Sequence, residues 1–61
     1  MNDYPYLVEL VEQALQTNNI KEIQDILKTL GFQTLGFNDD DYTDAAYEAI
    51  DIVEAHLSTQ Q

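Results

Sequence analysis

The chain has 61 residues, with 12 Asp and Glu against two Lys, no Arg and one His, for a formal charge of −10. Its sequence pI is near 4.1 and it contains no Cys. This length allows one small domain, disulfides are excluded, and the charge repels nucleic acid and anionic lipid alike.

Three amphipathic segments follow one another. The first spans about residues 4–17. Leu7, Leu10, Val11, Ala14 and Leu15 fall on one face, with Tyr4 and Val8 at its edge, while Glu9, Glu12, Gln13 and Gln16 fall opposite. Asp3 is the expected N-cap, and Pro5 suits the first turn, where a missing N–H costs nothing.

Asn18-Asn19 breaks the pattern. Asn19 is placed to cap a second helix, residues 20–30, with Glu22 completing a variant capping box. Ile20, Ile23, Ile26, Leu27 and Leu30 share its apolar arc. Gly31 is expected to stop this helix in a left-handed conformation, with Phe32 folding back on Leu27 as in a Schellman motif. A connection over 31–38 repeats Thr-Leu-Gly-Phe at 29–32 and 34–37. Its Phe32, Leu35 and Phe37 are expected to seal one end of a bundle. Leu30-Gly31-Phe32 resembles the Met-Gly-Phe-type loop of ubiquitin-associated domains. Those domains continue with a short Ala-rich helix, whereas a long loop and an acidic helix follow here.

The third helix is expected over 39–58, with Asn38 or Asp39 as cap and Phe37 and Tyr42 as a hydrophobic staple. Tyr42, Ala46, Ala49, Ile50, Val53 and Leu57 form its apolar arc, and Ala45, Ile52 and His56 widen it to about 160°. So broad an arc suits packing against two neighbours. The tail, residues 58–61, is expected to fray. The fold class is therefore all-α: a small three-helix bundle, a helical hairpin plus a longer acidic helix, forming one domain over residues 1–61.

Charge is unevenly placed. Residues 1–17 carry Asp3, Glu9 and Glu12, and residues 18–37 balance Glu22 and Asp25 against Lys21 and Lys28. Residues 38–61 carry Asp39, Asp40, Asp41, Asp44, Glu48, Asp51 and Glu54 with no Lys or Arg. At 100° per residue, Asp40, Asp41, Asp44, Glu48, Asp51 and Glu54 share an arc of about 140°, and Tyr47 projects inside it. An ordinary solvated face mixes signs, and an aromatic among carboxylates has the composition of an interface anchor.

Catalytic, cofactor and metal chemistry find little material. The sequence has no Cys nucleophile and no Gly-rich phosphate loop, and its one Ser, Ser58, lies in the tail. A calcium loop begun at Asp39 fails where Gly is required (Asp44) and where a bidentate Glu is required (Ile50). His56 has no second His or Cys with which to bind zinc, and its place near a helix end suits a structural role. No enzyme, cofactor or metal is expected.

Nothing in Met1-Asn2-Asp3-Tyr4-Pro5 resembles a signal peptide, and no apolar run exceeds three residues, so a cytoplasmic protein without a membrane span is expected. The expected partner is a basic protein, bound by Asp40, Asp41, Asp44, Tyr47, Glu48, Asp51 and Glu54. The function read from this pattern is occlusion of a nucleic-acid-binding surface by a nucleic-acid mimic. In size and charge the chain resembles phage-encoded anti-defence inhibitors. Two alternatives are an antitoxin or immunity-type protein that masks a toxin, and a small oligomeric structural or adaptor module. In the latter, the apolar arc of the third helix forms a homodimer.

Overall fold

The computed structural model describes residues 4–35 and 40–60. These form three helices: α1 (Pro5–Leu15), α2 (Ile20–Phe32) and α3 (Asp40–Gln60). Tyr4, just before α1, stacks edge-on against Tyr42 at the start of α3, and His56 near the end of α3 bonds Thr17 in the α1–α2 turn. α1 and α2 therefore run antiparallel, and α3 runs alongside in the direction of α1.

α3 packs most extensively on α2 and next on α1, while α1 and α2 touch each other least. The contact strip of α3 is small: Ala45, Ala46, Ala49 and Val53 are buried. Short side chains let helix axes approach closely. Against them lie Leu7, Leu10, Val11 and Ala14 of α1 and Ile23 and Leu30 of α2, all buried. Tyr4, Ile26, Leu27, Tyr42, Ile50, Ile52 and Leu57 pack around this core partly buried. No polar residue is buried among the described residues, so hydrophobic burial supplies the cohesion.

The turn between α1 and α2 is held by a set of local hydrogen bonds. Asn19 Oδ1 accepts the Lys21 and Glu22 backbone N–H groups at 3.0 and 3.3 Å. The Glu22 carboxylate does not return to the Asn19 N–H, as a simple capping box would have it. Instead it accepts from the Thr17 hydroxyl at 2.8 Å, and Thr17 Oγ1 accepts the Asn19 N–H at 3.1 Å. Thr17 is thereby drawn out of α1, which ends at Leu15 rather than at residue 17.

The helix ends correct several expectations. Tyr4 occupies the N-cap position of α1, and its carbonyl accepts from Leu7 and Val8 N–H; Asp3 lies outside the described residues. Gly31 is not left-handed: α2 continues through it to Phe32. The carbonyls at the end of α2 are met by tight turns. Gln33 N–H bonds Thr29 and Leu30 carbonyls, Thr34 N–H bonds that of Gly31, and Leu35 N–H bonds that of Phe32. With no reversal at Gly31, Phe32 does not fold onto Leu27 but stays 57% exposed, and Leu35 stays 65% exposed. Neither seals the bundle end; Tyr4 and Tyr42 pack there instead. Leu15 and Ile20, placed on the apolar arcs by periodicity, are exposed beside the turn. α3 extends to Gln60, with Thr59 Oγ1 donating to the His56 carbonyl at 2.6 Å. Phe37, Asn38 and Asp39, the expected staple and caps, lie outside the described residues.

Two outcomes follow from this packing. Gly31→Ala should stabilise the fold by about 0.5–1 kcal/mol, because its helical backbone accepts a Cβ and nothing lies within 4 Å of one; chemical denaturation reads the sign. Leu30→Ala should cost about 2–5 kcal/mol, and Leu27→Ala clearly less, because Leu30 is fully buried and Leu27 only partly. Equal losses in thermal unfolding would contradict this packing.

Candidate acidic interface

α3 sets its acidic residues opposite the strip that faces the hairpin. Asp40, Asp41, Asp44, Tyr47, Glu48, Asp51 and Glu54 are all exposed. The structure thus brings every sequence-selected residue to the outer surface of one helix. Tyr47 keeps 55% of its surface open, so it does not bury itself against α1. From Asp40 to Glu54 the helix rises about 21 Å, and six carboxylates along it give about one charge per 4 Å of axis. One strand of duplex DNA carries a charge about every 3.4 Å.

Both ends of α3 are tied down. At its start the Tyr42 hydroxyl donates to Gln33 Oε1 at 2.6 Å, and the ring meets Tyr4 at 5.1 Å between centroids and 88° between planes. This couples the first turn of α3 to the end of α2 and the start of α1. Burial raises the Tyr42 pKa above its ordinary value of 10.0, and neighbouring Tyr6 adds to the rise. At its other end His56 Nε2 lies 2.9 Å from the Thr17 carbonyl oxygen. A carbonyl only accepts, so Nε2 carries the proton and donates. His56 thus has the structural role its position suggested. Sequence reasoning did not foresee its partner, which lies 39 residues away. Nor did it foresee the Tyr42–Gln33 bond, which depends on α2 extending past Gly31.

The remaining surface of the described residues offers no comparable arrangement. An open groove of about 640 Å³ lies between the end of α1 and the start of α2, lined by Gln13, Gln16, Thr17, Glu22, Asp25 and Ile26. Its Glu22 carboxylate already holds the turn through Thr17. Among the described residues no group of three or more His, Cys, Asp or Glu is placed to hold a metal ion. No described helix is long and apolar enough to cross a membrane. The residues of the expected homodimer arc, Ala45 and Ala49, are buried within the single chain, and Ile52 is half-buried.

No protein-family model, curated protein or solved structure matches the chain.

The raised Tyr42 pKa sets a pH dependence. The folded phenol holds its proton more tightly than the unfolded one, so its contribution is fully present below pH 10.0, the ordinary value, and is lost as pH rises through the folded pKa. Alkaline unfolding curves should therefore show a stability loss above about pH 10 that is smaller in Tyr42→Phe. A variant with the same alkaline slope as wild type would contradict the assignment.

Proposed function

We propose that the protein is a binding protein rather than an enzyme. Its acidic α3 face engages the basic, nucleic-acid-binding surface of a partner protein and occludes it. The observation that carries this reading is the run of exposed carboxylates around a half-exposed Tyr47 on a helix tied at both ends. Carboxylates along α3 repel one another at each i,i+4 step, such as Asp40 to Asp44 to Glu48, and no base on the same helix relieves them. A surface kept at that cost is suited to a strongly basic partner. Long-range attraction speeds encounter, and an aromatic at the centre supplies contact once water is expelled. The charge density, near that of one nucleic-acid strand, favours a polyanion mimic of the kind encoded by phages against host defence enzymes. Supporting the non-enzymatic reading, the chain has no Cys and its one Ser, Ser58, is exposed near the end of α3.

Charge reversal tests this directly. Asp44→Lys, Glu48→Lys and Asp51→Lys together should leave the helical spectrum intact, since all three residues are exposed. They should weaken binding to a partner captured from the native host, by a margin that shrinks as salt is added. Tyr47→Ala should weaken it at every salt concentration, by about 1–2 kcal/mol. The captured partner should lose its grip on duplex DNA or heparin when wild type is present. Unchanged low-salt affinity of the folded triple variant would remove the acidic face from the function.

A further inference from the structure

We propose that the outer face of α2 is a self-complementary contact surface for a second copy of this chain. Lys21, Gln24, Asp25, Lys28, Gly31 and Phe32 lie on an arc of about 120° along this helix, and Leu35 follows in the turns beyond it. All are exposed except Gly31, which is half-buried. Leu35 at 65% and Phe32 at 57% are the two most exposed large apolar side chains among the described residues.

Gly31 is the second observation. It sits inside the helix, where glycine is unfavourable, without a left-handed backbone, and nothing lies within 4 Å of the position a Cβ would take. The fold of the single chain makes no use of the missing side chain. A gap at that place, beside Phe32, lets a second helix approach closely.

Charge selects the occupant. The described Asp and Glu side chains of α1 and α3 have no Lys or Arg beside them on either helix, so two such faces repel, as do two whole chains of −10. On α2 alone the charges balance, with Lys21 and Lys28 against Glu22 and Asp25. An antiparallel pair about a two-fold axis midway between residues 25 and 28 sets each Lys28 across from the other copy's Asp25. The same axis sets each Lys21 across from the other copy's Phe32 ring. Both contacts occur twice, as an isologous interface requires, and both are attractive. This contact uses none of the acidic residues of α3, so it stands apart from the proposed function.

Sedimentation equilibrium on the full chain, from low micromolar to millimolar concentration, tests the proposal. A monomer–dimer equilibrium should appear and tighten with added salt, which screens the repulsion between the two chains. Lys28→Asp should weaken the dimer by about tenfold, and the swapped pair Asp25→Lys with Lys28→Asp should restore it. Gly31→Leu should weaken the dimer while leaving the circular dichroism spectrum of the monomer unchanged. A monomer throughout the range overturns the proposal. So does a Lys28→Asp variant that dimerises like wild type, or a swapped pair no better than the single change.

Discussion

The structure depends on the seating of the Ala45, Ala46, Ala49 and Val53 strip of α3 on the α1–α2 hairpin. A chain of 61 residues buries only about 60% of the surface it exposes when unfolded. The contact between α1 and α2 is the least extensive of the three helix pairs. α3 completes it by touching both partners at once. Its contact residues are small, three of them Ala, which lets neighbouring helices approach closely, and the core closes without a buried polar group among the described residues. One side of α3 is thereby committed to the core, and the opposite side carries its exposed acidic residues.

Much of this arrangement was legible from periodicity. Leu7, Leu10, Val11, Ala14, Ile23 and Leu30 recur at helical spacing and are buried. The breadth of the α3 arc, widened by Ala45 and Ile52, anticipated a helix with two neighbours. The acidic arc was legible for the same reason, since a helix that buries one face must expose its reverse. What periodicity could not supply were the helix ends. Gly31 carries the composition of a helix stop, yet the carbonyls there are satisfied by Gln33, Thr34 and Leu35 N–H groups in tight turns, so no left-handed residue is needed. Thr17 reads as the last residue of a helix, but its hydroxyl serves Asn19 and Glu22 across the turn. Pairings such as Tyr42 with Gln33 and His56 with Thr17 depend on where those ends fall.

Under the proposed function, the two pinned ends matter through preorganisation. A carboxylate row on a fraying helix would have to be ordered when a partner binds, and that ordering subtracts from affinity. Tyr42 ties the first turn to α1 and α2, and His56 ties the last turns to the interhelical connection, so the row between them is ordered before any encounter. Tyr47 lies near the middle of that span, where a contact residue is best shielded from water by its surroundings. Under the proposed function, the hairpin and core act as a mount for one helix face.

The central claim is that this face is kept for its charge at the expense of the fold. The most direct measurement is the unfolding free energy of Asp44→Asn, Glu48→Gln and Asp51→Asn combined, compared with wild type at low and high salt. These changes preserve size and remove three negative charges from α3. Repulsion of about 0.2–0.5 kcal/mol per like-charged neighbour predicts a gain of about 1 kcal/mol at low salt that fades as salt is raised. A neutralised variant less stable than wild type at low salt would contradict the account, because the carboxylates would then be supporting the fold.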